Sequence, residues 1–378
     1  MNDKINRLSQ QLDLLYGQYQ RCTSVKMAES IFSSLLNLSD LYYSLVGEDY
    51  LNISKIKKQN PYYFEKVIQI SNHKNRFFLK NFLDNKNFHY QFMKDVFTAF
   101  VNASDENING SRINDYDYYH DNKELLDILF EYYNDRNPKG GKILSQLLQD
   151  NRLFNVKNFE DFQFTNINGM TYWDDYNNTC FVIRNIERKN TTVYDLATIV
   201  HEIGHVEDFD RVGKSNFKNA RNYMYFSILH EVNAIYREKE FIEFLIDNNI
   251  YKEEAQNNVI NNCEGMLSSL KDFLLLTKLP NDLLQKNKYF NISQDQINKI
   301  FDNNLVTPED YVMDIRNSLV YTYGEVLSDF LIENKDMYSV LFSDDRYMKL
   351  FDPKVIENMG VNSSMMEEAF QKKYEKCR

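Results

Sequence analysis

A mainly α-helical fold with one short β segment midway along the chain is what this sequence predicts, and three observations predict it. Only 11 Gly and 5 Pro interrupt 378 residues, which leaves few helix breakers. Long stretches place apolar residues at i, i+3, i+4 and i+7, the spacing of one buried helix face. Against that background only residues 161–186 alternate and fill with aromatic and β-branched side chains.

From the start, residues 1–135 read as a run of amphipathic helices broken near Gly47, near Asn60-Pro61 and around Asn109-Gly110. The segment NDRNPKGG at 134–141 combines Pro with paired Gly, so the boundary between an N-terminal helical region (1–135) and a second region (136–378) is placed there. FQFTNI then alternates, and GMTYWDDYNNTCFVIRNI follows with turn signals at Asn168-Gly169 and Asn177-Asn178. Helical pattern resumes at Thr192, which forms an acidic capping box with Asp195. Val193, Leu196, Val200 and Ile203 make the buried stripe of that helix. A second long helix is expected from about Ala220 to Asp247, and further helices fill the chain to Arg378.

A chain this long buries a large core without staples, as one domain or as two lobes. Cys22, Cys180, Cys263 and Cys377 are scattered and form no CxxC pair, which speaks against a disulfide framework or a cysteine-ligated metal and fits a reducing compartment. The N-terminal residues read as an amphipathic helix rather than a signal peptide, so a cytoplasmic location is expected. No apolar run approaches the ~20 residues of a spanning helix, so no membrane partner is expected. The formal net charge of −11, with no dense Lys/Arg cluster, makes nucleic acid a poor partner. Oligomeric state has no signature here.

Within the capped helix lies His201-Glu202-Ile203-Gly204-His205. Residues i and i+4 share a helix face one turn apart, so both imidazoles can bind one ion, zinc by ligand type, and Glu202 is placed to take a proton from attacking water. With six His in the chain, HExxH arises by chance with a probability of order 1%. A catalytic zinc needs a third protein ligand. Asp208 lies one turn beyond His205 and His230 is a further candidate, but Glu231 is preferred. It lies 26 residues after His205, and Ser227 and Ala234 flank it as a small-residue stripe suited to close helix packing.

The residues from Gly169 to Phe209 resemble the strand and HExGH helix of the oligopeptidases that include oligoendopeptidase F and thimet oligopeptidase. Leu229-His-Glu-Val-Asn-Ala234 resembles the helix that supplies their third zinc ligand, and Val320 to Phe330 resembles their late tyrosine-rich helix. The resemblance spans roughly residues 160–378, with Asn358 to Asn362 similar to the family's terminal turn. It implies a two-lobed helical metallopeptidase for short peptides, one Zn2+ on His201, His205 and Glu231, and Tyr321 or Tyr323 as donor to the oxyanion. The chain is shorter than typical members, and the His that relatives often carry before the tyrosines is replaced near Met313 and Asp314.

The β segment before the metal helix is expected to act as an edge strand, with Phe181, Val182, Ile183 and Arg184 binding substrate through main-chain hydrogen bonds. Two other functions compete with the oligopeptidase. One is an endopeptidase or dedicated processing enzyme with a more open cleft; the other is a zinc-stabilised binding protein without turnover.

Overall fold

Short connections and helix caps set the frame. The computed structural model describes residues 2–47, 49–103, 122–156, 169–174, 179–185, 192–215, 227–276, 308–343 and 351–376. Among them run fourteen helices: α1 (Asn2–Gln20), α2 (Val25–Val46), α3 (Ile53–Gln59), α4 (Pro61–Asp84), α5 (Lys86–Ala103), α6 (Asn122–Asp135), α7 (Pro138–Gln149), α8 (Val193–Ser215), α9 (His230–Asp247), α10 (Lys252–Leu276), α11 (Pro308–Glu333), α12 (Lys335–Ser343), α13 (Lys354–Asn358) and α14 (Ser363–Lys376). Three strands precede α8: β1 (Leu153–Val156), β2 (Gly169–Asp174) and β3 (Thr179–Asn185). The expected features at Asn109-Gly110, FQFTNI, Asn168 and Asn177-Asn178 lie outside the described residues. None of the described helices is long and apolar enough to cross a membrane.

The chain divides into two compact units, one of residues 1–73 and 119–210, the other of 74–118 and 211–378. This differs from the expected division at 135/136. Helices α4 and α8 each run across the division, and the 134–141 segment is interior to the first unit. The reason is local. Asn137 caps α7 by accepting from the Gly140 amide, and Pro138 occupies its first turn, so the Pro and Gly signal ends one helix and starts the next.

In the first unit, Leu8, Leu12, Leu15 and Tyr19 form the buried stripe of α1. They meet Ala28, Ile31, Leu35 and Leu38 of α2, a spacing of three and four residues on both helices. Ser24 caps α2 and Gly47 ends it at φ +78°, a left-handed conformation that suits Gly. The sheet has the order β1-β3-β2, with β3 parallel to β1 and antiparallel to β2.

That order corrects one expectation. Val182, Ile183 and Arg184 pair with β1 on one side and β2 on the other, and Phe181 pairs with Tyr172 of β2. The main chain of β3 is therefore consumed by the sheet, and β3 is not the edge that an added peptide strand requires. A run as apolar as Cys-Phe-Val-Ile is the pattern of a central strand.

In the second unit α11 is central, packing on α9, α10, α12 and α14. Three of these helices are tied by buried charge. Asp329 of α11 accepts from Lys239 of α9 at 2.6 Å and from Lys373 of α14 at 2.9 Å, and Lys239 also lies 2.7 Å from Glu325. Burial would raise the Asp329 carboxyl, but the two ammonium groups outweigh it and hold its pKa below the usual carboxylate value. Asp329→Ala would leave both ammonium groups without this partner, at a cost of about 3–5 kcal/mol in urea unfolding at pH 7. A loss below about 1 kcal/mol would show that the network does not bind these helices together.

Candidate metal centre

Helix α8 begins as its sequence demands. The Thr192 amide donates to Asp195 Oδ2 at 2.8 Å and the Asp195 amide donates to Thr192 Oγ1 at 3.2 Å, the reciprocal pair of a capping box. Val193, Leu196, Val200 and Ile203 are all buried, as expected. The register they fix brings His201 and His205 together, with ring centroids 4.9 Å apart and planes nearly perpendicular. Both rings keep partial exposure, whereas Glu202 between them is buried.

A buried carboxylate is costly without hydrogen-bond donors. Glu202 receives one from β2: Thr171 Oγ1 donates to its Oε2 at 2.6 Å and also lies 3.1 Å from its carbonyl oxygen. Two residues earlier, Gly169 is needed for space. A Cβ there would stand 2.5 Å from Thr198 Cγ2 and 3.0 Å from Glu202 Cγ and Oε1. The small β2 residues therefore set the position of the carboxylate. One turn on, Asn137 Nδ2 donates to the fully buried Glu207 at 2.6 Å, which joins the α7 cap to α8. Asp208 is fully buried as well.

In the second unit Glu231 lies in the first turn of α9, which starts at His230 rather than near Ala220. Residues 227–229 form a turn in which Ser227 Oγ accepts from the Leu229 amide. His230 Nδ1 lies 2.9 Å from the Ser227 carbonyl oxygen, and its Nε2 lies 3.1 Å from Glu231 Oε1. A carbonyl only accepts, so Nδ1 carries a proton; in the neutral ring Nε2 is then an acceptor, and it donates to the carboxylate only when the ring is doubly protonated. On the far side of Glu231 stands Gly324 of α11, where a Cβ would meet Ile235 Cδ1 at 2.6 Å and Glu231 Cβ at 3.0 Å. Ser227 and Ala234 are both buried, but Ser227 precedes α9, so the two do not form the expected stripe along one helix.

The two tyrosines separate. Positions i and i+2 are about 200° apart around a helix. Tyr321 is 47% exposed and Tyr323 is fully buried. Tyr323 stacks on Phe92 at 4.9 Å, and its hydroxyl lies 3.0 Å from His89 Nδ1. The expectation of a catalytic Tyr323 is thus corrected: its phenol is sealed in the core of the second unit, where burial raises its pKa.

His89, Thr171, Gly169 and Gly324 are the residues that sequence reasoning missed. Thr and Gly carry no motif of their own here, and His89 lies in a helix with no partner at a recognisable spacing. Compared with protein-family models, with characterised proteins and with solved structures, the chain matches none.

Burial pushes the His89 pKa down to about 3. Its Nε2 has no hydrogen-bond partner among the described residues, and its ring packs 4.4 Å from Phe351. The unfolded chain binds this proton first, at the ordinary histidine value of 6.5, so the associated stability is whole above that pH. It is lost as pH falls from about 6.5 toward 3, by up to about 1.4 kcal/mol per pH unit. Urea unfolding at pH 6.5, 5.5 and 4.5 should show this slope, and His89→Phe should reduce it by as much as one proton. An unchanged slope in that variant would remove His89 from the acid response.

Proposed function

We propose that this protein is a zinc-dependent peptidase, with His201 and His205 of α8 and Glu231 of α9 as metal ligands and Glu202 as general base. The observation that carries the reading is the Glu202 carboxylate, buried in the HExxH turn and held by Thr171, next to two imidazoles that share one helix face. A site that only stored a metal has no use for that carboxylate. Each of the three ligand residues offers one donor atom, and two imidazoles with a carboxylate are the donor set that catalytic zinc prefers. Zinc held there would polarise the scissile carbonyl and lower the pKa of the attacking water.

The rest is done by the chain. Thr171 occupies Oε2 of Glu202, so Oε1 takes the proton of the attacking water and passes it to the leaving amine. Tyr321 is the tyrosine of the pair with an exposed side chain, and it takes the role of donor to the oxyanion. Substrates are short peptides, as in the oligopeptidases that the HEIGH and LHEVNA segments resemble. A metal-stabilised binding protein is the competing reading, and the investment in Glu202 opposes it.

Glu202→Gln should retain zinc by metal analysis and lose hydrolysis of a quenched peptide by at least ~10²-fold. Chelator should silence the wild type, and added zinc should restore it. Wild-type rates in Glu202→Gln would sink the mechanism. Thr171→Val should lower kcat about tenfold with little change in zinc content, while Thr171→Ser, which keeps the hydroxyl, should recover most of it. Equal rates in Val and Ser variants would show that the hydroxyl does not position the base.

A further inference from the structure

Four helices of the second unit, α9, α10, α11 and α14, wall a cleft of about 490 Å³, its mouth included. Each helix turns one face to it. Ile242 and Ile246 stand a turn apart on α9, Asn258 and Asn262 on α10, and Ala369 and Lys373 on α14. Val259 and Ile332 complete the apolar wall. The charged lining has both signs, with Lys239 and Lys373 beside Asp329, Glu243 and Glu333, so it selects neither a plain anion nor a plain cation.

The charges at the base of the cleft are committed to the scaffold. Lys239 Nζ donates to Asp329 Oδ1 at 2.6 Å and to the Glu325 carbonyl oxygen at 2.8 Å, and it lies 2.7 Å from Glu325 Oε2. The asparagines are not so committed. Glu238 only accepts, so Asn262 Nδ2 donates to its Oε1 at 3.4 Å and to Asn258 Oδ1 at 3.1 Å. Both amides are thereby oriented, and Asn258 Nδ2 is left as a donor and Asn262 Oδ1 as an acceptor. Neither atom has a hydrogen-bond partner among the described residues. Asn258 is only 5% exposed, and a buried donor gains from a partner.

A ligand that satisfies this cleft brings an aliphatic body for the isoleucines, an acceptor for Asn258 and a donor for Asn262. An aliphatic acid lacks the donor and an aliphatic amine lacks the acceptor. A neutral amide has both but forgoes the stronger charge-assisted bonds. A zwitterion has all three, and its balanced charge suits a lining of both signs. Because the two asparagines touch, its charged groups must stand close together, as they do on one α-carbon.

We propose that this cleft binds a free α-amino acid with a branched aliphatic side chain. The side chain lies against Ile242, Ile246 and Ile332, the carboxylate accepts from Asn258 Nδ2 and the ammonium donates to Asn262 Oδ1. The site does not rest on the metallopeptidase reading.

The test is isothermal titration calorimetry on the wild-type protein at neutral pH with L-leucine, glycine, 4-methylpentanoate, 3-methylbutylamine and 4-methylpentanamide. L-leucine should bind with a Kd below about 1 mM, and each of the others at least ~10-fold more weakly. Ile246→Trp fills the cleft from a half-buried position and should abolish the leucine heat. Asn258→Asp keeps the acceptor for Asn262 and removes the donor. It should weaken L-leucine at least ~10-fold and bind 3-methylbutylamine more tightly than the wild type does, a gain that a damaged fold cannot produce. No saturable binding of L-leucine up to about 10 mM would overturn the site. So would an analogue that binds as well as leucine, or leucine binding that is unchanged in either variant.

Discussion

Burying Glu202 constrains everything packed around the first part of α8. Helix α8 presents two imidazoles on one face and is packed on its other faces, which carry Glu202 and Glu207 as well as Val, Ile and Leu. Each acid then needs a donor from another element. Thr171 answers Glu202 from β2, and Asn137 answers Glu207 from the N-terminus of α7. The sheet and the α7 cap are therefore fixed by chemistry on α8 as much as by their own propensities. The same Asn137 caps its own helix through Oδ1 and reaches α8 through Nδ2, so one side chain meets two demands.

The second unit solves a parallel problem differently. Its buried charges are balanced by charges: Asp329 stands between Lys239 and Lys373, and Glu240 bonds Arg237. Such pairs add little net stability over apolar packing, but breaking one leaves a charge stranded. They hold α9, α11 and α14 in one register, and α9 carries Glu231. Tyr323 belongs to this scaffold. Its ring fills space among Phe92, His89 and Phe351, and an aromatic pair at i and i+2 on a buried helix sends one ring inward and the other out.

What the sequence disclosed and what it hid follow from the range of each interaction. The α8 cap, its buried stripe and the pairing of His201 with His205 are set within a few residues of each other, so periodicity and spacing exposed them. The breaks at Gly47 and Pro61 are local in the same way. Strand order is not local: whether Cys180 to Asn185 is central or edge depends on β1, which lies more than twenty residues earlier and pairs in parallel. The division into units was hidden for a similar reason, because residues 74–118 join 211–378 through contacts such as that of His89 with Tyr323. A Pro-Gly cluster reports a backbone turn and says nothing about which side of it belongs to which core.

The two acids assigned to chemistry share one more feature that no motif announces. Glu202 has Gly169 beside its Cγ and Oε1, and Glu231 has Gly324 beside its Cβ, each so close that a methyl group would stand 3.0 Å away. Hydrogen bonds alone leave a carboxylate free to swing between rotamers of similar energy. A backbone pressed against its stem removes those alternatives, and only Gly permits the approach without displacing the acid. Space thus complements polarity: Thr171 donates to Glu202, His230 Nε2 stands 3.1 Å from Glu231 Oε1, and the glycines limit where each carboxylate stands. Catalytic groups gain from being held in place before substrate arrives, because reorganisation during the reaction is then small. Under the proposed function, glycines that meet an acid in this way would belong to the site, although they contribute no reacting atom.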